Sequence, residues 1–235
     1  MFLEKMLQSQ GFGSRKYCQQ LIKNGAVEIN GEIVDHPKLK LDLKDLRFSV
    51  YGEEYLYREH LYIALNKPKG YECSHQATHH FSVFELFDEV LLNRGLQCVG
   101  RLDQDTTGLL LLTDDGQYLQ ALTHPKKHVP KVYVMQTADA VTAEQIQQLE
   151  QGVELRNENG IFAATDIKLL ATHQLQMTVH QGVYHQVKRM LAAVGNKVET
   201  LHRAKIGQLG LNDLAEGEWM YLSAEQIEQS KFREQ

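Results

Sequence analysis

The sequence predicts an α+β chain, a small helix-helix-hairpin module followed by a longer domain built on a mainly antiparallel sheet. Three observations predict it. Two short amphipathic helical stretches and a strong hairpin signal fall within residues 1–58. Beyond them, strand-like segments dominate and few neighbouring ones are separated by a helix, which argues against a doubly wound parallel sheet. At 235 residues and 26.9 kDa the chain has room for between one and two domains, and for a core that needs neither disulfides nor a structural metal.

Phe2, Leu3, Met6 and Leu7 recur at helical spacing, and Gly11-Phe12-Gly13 stops that helix. Ser14 caps a second helix whose apolar face is Tyr17, Cys18, Leu21 and Ile22, with Gly25 at its end. Val27 and Ile29, then Asn30-Gly31, then Ile33 read as a hairpin, because Asn-Gly supplies the positive φ of a type I′ turn. Leu39, Leu41 and Leu43 alternate, as do Leu46, Phe48 and Val50, so more strand is expected there. Polar, aperiodic Glu53 to His60 reads as a linker, which divides the chain into domains at 1–58 and 61–235. In the second domain strands are expected at Leu61–Leu65, Leu109–Leu112, Val132–Met135, Val153–Leu155, Ile167–Leu170 and Leu175–Val179. Thr142 and Gln145 form a capping box for a helix ending at Gln151, and Ser223 with Gln226 caps a short last one. His185 to Val194 carries Val187, Met190, Leu191 and Val194 on one helical face.

Composition narrows the function classes. With 43% hydrophobic and 23% charged residues the chain is neither disordered nor fibrous. No apolar run approaches the length of a membrane span, and the first ten residues lack the apolar region of a secretory signal. Cys18, Cys73 and Cys98 are odd in number and far apart, so they suggest a reducing cytoplasm instead of a disulfide framework or a zinc site. The net charge of −5 argues weakly against a nucleic-acid partner. Two basic segments run against that average: Lys126, Lys127 and Lys131 stand without an acid, and Lys188, Arg189, Lys197, Arg203 and Lys205 face only Glu199.

The most distinctive stretch is Gly100–Gly116, GRLDQDTTGLLLLTDDG. Asp103 lies before a Thr-Thr-Gly turn and an apolar strand, Leu109–Leu112, so its carboxylate is braced yet reachable. The plainer alternative is that Asp103 or Asp105 caps the turn. Lys131-Val132-Tyr133-Val134 is an alternating strand that separates Tyr133 from its valine neighbours, and a tyrosine there suits either a core or a base-stacking role. Lys188 and Arg189 lie off the apolar stripe of their helix, where one could reach a carboxylate or a phosphate. His75, His79 and His80 lack a further ligand at metal spacing, and Asn66-Lys67-Pro68-Lys69-Gly70 is turn chemistry without the glycine spacing of a phosphate loop.

GRLDQDTTGLLLLTDDG, KVYV and YHQVKRM, in this order, resemble the three blocks of ribosomal RNA pseudouridine synthases. They are most similar to the ribosomal small subunit pseudouridine synthase A branch, which modifies 16S ribosomal RNA, and LNKPKGYECS at Leu65–Ser74 fits that branch's entry segment. The N-terminal module resembles the S4 RNA-binding domain. The resemblance implies a mixed, mainly antiparallel sheet crossed by a central cleft, with no metal and no organic cofactor. Asp103 matches the catalytic aspartate and Tyr133 the active-site aromatic. Lys188 stands where relatives carry an Arg or Lys paired with the aspartate, with Arg189 as the neighbouring alternative. Arg15, Lys16, Lys23, Arg101, Lys126, Lys127, Lys131 and Arg189 are then the candidate RNA contacts. The expected partner is 16S ribosomal RNA or an assembling small-subunit particle, met by a cytoplasmic monomer without a membrane. Two alternatives remain open: the same chemistry on large-subunit RNA, and a non-catalytic ribosome-assembly protein that kept the fold.

Overall fold

The computed structural model describes residues 1–124 and 127–233. It divides into two compact units, one of residues 1–61 with 87–97 and the other of residues 62–86 with 98–235.

The first unit opens with α1 (Leu3–Ser9) and α2 (Arg15–Lys23). Ser14 Oγ accepts from the Tyr17 N–H at 3.3 Å, the expected cap. The buried faces, Leu3, Met6 and Leu7 on α1 and Cys18, Leu21 and Ile22 on α2, close over a small sheet. That sheet holds β1 (Val27–Ile29), β2 (Glu32–Ile33), β3 (Arg47–Val50) and β4 (Glu53–Leu56) in the order β2-β1-β3-β4. Asn30 at φ 53° and Gly31 at φ 82° make the expected hairpin turn. The supposed linker is an edge strand instead. Tyr51 at φ 52° and Gly52 at φ 81° turn the chain into β4, and Tyr55 stacks on Phe48 with centroids 5.5 Å apart. An edge strand is solvated on much of its surface, so polarity hid it. Leu39–Leu43 is not a regular strand either. It runs past the start of α1, where the Leu39 and Pro37 carbonyls accept from Leu3 and Glu4 at 2.9 and 3.0 Å. Phe2 offers no side-chain cap, so backbone takes over that task. A short helix, α3 (Glu89–Leu92), completes this unit, with Asn93 Nδ2 donating to the Gly11 carbonyl at 3.1 Å.

The second unit is built on a nine-stranded sheet among the described residues. Its strands begin with β5 (Tyr62–Lys67), while β6 (Tyr71–Glu72) and β7 (Phe81–Ser82) pair separately and β8 (Gln97–Cys98) joins the edge of β9 (Thr106–Thr113). After α4 (Gly116–Thr123) come β10 (Lys131–Thr137), α5 (Ala143–Gln151) and the small ladder of β11 (Val153–Glu154) with β12 (Ile161–Phe162). Next are β13 (Thr165–Ala171), β14 (Gln174–Val179), α6 (Gln186–Ala193), β15 (Val198–Ile206), β16 (Leu209–Gly210), β17 (Trp219–Tyr221) and α7 (Ala224–Ser230). The main path is β13-β14-β10-β15-β9-β5-β17, antiparallel throughout except where β15 meets β9 in parallel. The architecture is therefore the expected α+β one. Leu109 to Leu112 on β9 are fully buried, and Tyr118 and Leu122 of α4 pack on the side of Leu109 and Leu111. Both expected capping boxes form, at α5 and α7.

Two departures from expectation matter for the site. All of the basic stretch 197–205 but Lys197 lies in the strand β15, near the centre of the sheet, and its Arg203 is only 2% exposed. Thr106-Thr107-Gly108 is not a turn but the start of β9; the turn precedes it, closed by the Thr106 N–H on the Asp103 carbonyl at 3.1 Å. Gly108 serves a close approach. At φ 103°, a Cβ there would lie 2.4 Å from the Arg203 carbonyl oxygen. Gly108→Ala is therefore expected to destabilise the protein by about 3 kcal/mol, through clash and strain together. Denaturant unfolding checks this, and a midpoint equal to wild type would contradict it.

Candidate active site

A row of paired residues underlies the site. Strand register aligns Met177, Tyr133, Arg203, Gly108 and Lys67 across β14, β10, β15, β9 and β5. Residues opposite one another across a ladder share a face, so Tyr133, Arg203 and Lys67 belong to one side of the sheet. Thr106 joins them, two residues before Gly108 on β9.

The loop before β9 is clamped from below. Lys67 has no exposed surface, and its ammonium donates to the carbonyls of Thr106 at 2.8 Å, Pro68 at 3.0 Å and Gln104 at 3.4 Å. Gly70 adds its N–H to the Gln104 carbonyl at 2.7 Å, and Leu102 donates its own to Cys73 Sγ at 3.4 Å. Lys67 and Gly70 of the LNKPKG segment thus hold the backbone after Asp103, and Cys73 just beyond that segment holds the N–H before it, which reading the segment as turn chemistry did not foresee. Burial pulls the Lys67 ammonium below the usual lysine range, with Cys73 the foremost group opposing that shift.

The side chains above the loop come from the start of α6. His185 takes a left-handed conformation at φ 50° and sets the helix entry. Its Nε2 lies 3.1 Å from Asp103 Oδ1. One helical turn on, Lys188 Nζ lies 3.0 Å from Asp103 Oδ2 and 2.7 Å from Asp105 Oδ1. One ammonium is thus shared by two carboxylates, and both oxygens of Asp103 are engaged. Burial works against the charge of Asp105, but the hydrogen bond and charge of Lys188 outweigh it and hold the carboxyl below its usual range. Burial likewise opposes the Lys188 charge, and the same contacts with Asp105 and Asp103 override it and raise the ammonium. The cluster stays reachable, since the Asp103 side chain is 28% exposed and that of Lys188 25%. Tyr184, 69% exposed, stacks on the His185 ring at 3.7 Å between centroids.

The structure brings Lys188, and not Arg189, to Asp103. Arg189 turns away to Glu158 at 3.1 Å and to the Tyr184 and Arg156 carbonyls. Tyr133 is buried on β10, in register with Arg203, and makes no hydrogen bond to Asp103. Of the other basic candidates, Lys16, Lys23, Arg101 and Lys127 are exposed. Arg15 is committed to buried Glu4, its Nε donating at 2.9 Å, because a buried carboxylate needs its counter-charge. The Lys131 ammonium folds back on the Val129 carbonyl at 2.9 Å, and burial, with Arg203 nearby, pulls it down to about 8. Lys126 lies outside the described residues.

Sequence reasoning assigned no role to His185 or Lys67, counted Arg203 only within a basic stretch offered to RNA, and weighed Asp105 only as a cap. Nothing in the local pattern marks a left-handed histidine. Arg203 stands in a basic stretch that suggests solvent, yet its Nε donates to the Leu109 carbonyl at 2.7 Å and its Nη2 is buried without a partner. Chemically, a carboxylate held at both oxygens by a lysine and a histidine is fixed in place, where it can attack carbon or take a proton.

The RNA pseudouridylate synthase family matches residues 61–193, and the S4 domain matches residues 3–46. The chain is 40% identical to a ribosomal small subunit pseudouridine synthase A from Pasteurella multocida, over 97% of this chain and 98% of the relative. It is 39% identical to the protein of that name from Escherichia coli (strain K12), with the same coverage. A crystal structure of a pseudouridylate synthase superposes with a TM-score of 0.69 at 37% identity, covering 98% of this chain and 99% of the other. With its aspartate-bearing loop, S4 module and near full-length likeness to these enzymes, the chain belongs to the RNA pseudouridylate synthase family.

Proposed function

We propose that this protein converts a specific uridine of small-subunit (16S) ribosomal RNA to pseudouridine, with Asp103 as the nucleophile or base. The observation that carries the chemistry is the Lys188 ammonium shared by Asp103 and Asp105 at 3.0 and 2.7 Å. The choice of RNA is supported by the names of the full-length relatives.

The reaction needs what the cluster offers. The C1′–N1 bond of uridine breaks, the uracil turns, and C1′ joins C5; the C5 proton leaves and N1 gains one. Nothing is oxidised and no water is consumed. Asp103 attacks a carbon centre and later departs, or removes a sugar proton. Carboxylates serve against related sugar cations in glycoside cleavage. Lys188 and His185 hold both oxygens of Asp103 and aim the carboxylate. The target base must leave its stack to reach the aspartate, and Tyr133 forms the neighbouring wall on the sheet side.

Residues 61–235 supply the chemistry, and 1–58 act as the S4-type docking module, in the cytoplasm. Its contacts are phosphate contacts, which position without reading sequence. With Arg15 held by Glu4, exposed Lys16 and Lys23 are the docking cations. Replacing both with Ala should make the slope of log affinity against log salt shallower by about 0.7–0.9 per lost phosphate contact. An unchanged slope in a salt titration of RNA binding would return these lysines to plain surface charge.

The function itself is tested by deleting the gene in its host and mapping pseudouridines in both ribosomal RNAs. Loss of one small-subunit site is expected. Loss confined to large-subunit RNA would move the target, and no loss would count against the reading.

A further inference from the structure

We propose that Tyr184 is a stacking platform for the RNA base next to the target uridine. The proposal deepens the function given above and rests on it. When a uridine leaves its stack, the base beside it loses a stacking partner. An aromatic ring held close to the reacting carboxylate can take the vacated place.

The geometry of Tyr184 meets that need. Its ring and that of His185 are stacked, with centroids 3.7 Å apart and 19° between their planes. His185 in turn reaches Asp103 Oδ1 with its Nε2 at 3.1 Å. Tyr184 therefore lies one ring away from the imidazole that holds the carboxylate, and that imidazole sets its plane. The residue is 69% exposed, and among the described residues His185 is its one ring neighbour. One face of the tyrosine is covered and the other is left for a ligand.

The backbone builds this stack deliberately. In a helix or a strand, successive side chains diverge by about 100° or 180°. His185, at φ 50°, leaves both regular conformations and lets side chains 184 and 185 lie side by side. A left-handed residue other than glycine is strained and persists only where its surroundings fix it. Here they do. The Gln186 N–H closes the turn on the Val183 carbonyl at 3.2 Å. Arg189 Nη1 donates to the Tyr184 carbonyl at 3.0 Å and to Glu158 Oε1 at 3.1 Å, which anchors the loop from outside. A tyrosine serving only the core would turn its ring inward. This one is fixed through its backbone and one ring face. A ring arranged beforehand loses little freedom on binding, so the stack adds to affinity. Every base has a π-face, so Tyr184 supports the opened strand without reading its sequence.

Substitutions at position 184 of the full-length protein, assayed on unmodified 16S RNA, test this. Tyr184→Leu keeps an apolar side chain and removes the π-face, and kcat/KM should fall by about tenfold or more. Tyr184→Trp should stay within a few-fold of wild type. A leucine variant as active as wild type, or a tryptophan variant as poor as the leucine one, would overturn the proposal. The tryptophan variant also reports stacking without turnover. The wild type contains only Trp219, so it serves as the blank. Adding 16S RNA should quench the variant's indole emission beyond the change seen in wild type, and equal quenching would overturn the platform. A protein that shows the extra quenching yet modifies no RNA would contradict the proposed function and leave the platform standing.

Discussion

Asp103→Asn should lower pseudouridine formation by about 10³-fold or more, the loss expected when a positioned base or nucleophile is removed. Asparagine keeps the shape and can still meet His185 and Lys188, but it neither attacks carbon nor takes up a proton usefully. The backbone clamp on this loop, from Lys67 and Gly70, does not involve the Asp103 side chain. Folding and RNA affinity should therefore stay near wild type. Circular dichroism, RNA binding and single-turnover assays separate these effects, and turnover within a few-fold of wild type would remove Asp103 from the mechanism.

Lys188→Met should cut turnover by about 10²-fold and move the acid limb of the pH-rate profile to higher pH. The sign follows from the geometry. Lys188 stands between Asp103 and Asp105 and is the charge that holds Asp105 below the usual range. Without it two carboxylates share a partly dry site, so the pair takes up a proton at higher pH and the active ionised form is lost earlier as pH falls. Arg189→Met breaks the contact with Glu158 instead, and should leave the profile in place. If Arg189→Met shifted the profile and Lys188→Met did not, the assignment of the two cations would be reversed.

Sequence patterning captured the elements whose cause is local. Ser14, Thr142 with Gln145, and Ser223 with Gln226 cap helices where they were expected, because a cap needs only a side chain and its neighbours. Asn30-Gly31 turned the chain for the same reason. The errors have long-range causes. Polar β4 is a strand because Tyr55 packs on Phe12 and Phe48. Basic β15 is a central strand because its neighbours β9 and β10 cover it, and Arg203 is buried by that pairing. Gly108 looked like a turn residue, whereas its purpose lies across the sheet, where the Arg203 backbone leaves no room for a Cβ. Within the site, Asp103 and Lys188 were legible from motif resemblance. His185 and Lys67 were not, since one depends on a left-handed helix entry and the other on carbonyls up to 39 residues away.

Asp103, set by Lys188, is proposed to isomerise a uridine in small-subunit ribosomal RNA. The most direct test is to incubate the purified protein with unmodified 16S and 23S ribosomal RNA, free and in assembling particles, and to map pseudouridines at single-nucleotide resolution. A new pseudouridine is expected at one 16S position, formed by the wild type and not by Asp103→Asn. A site appearing only in 23S RNA, or one that Asp103→Asn forms equally well, would contradict the proposed role.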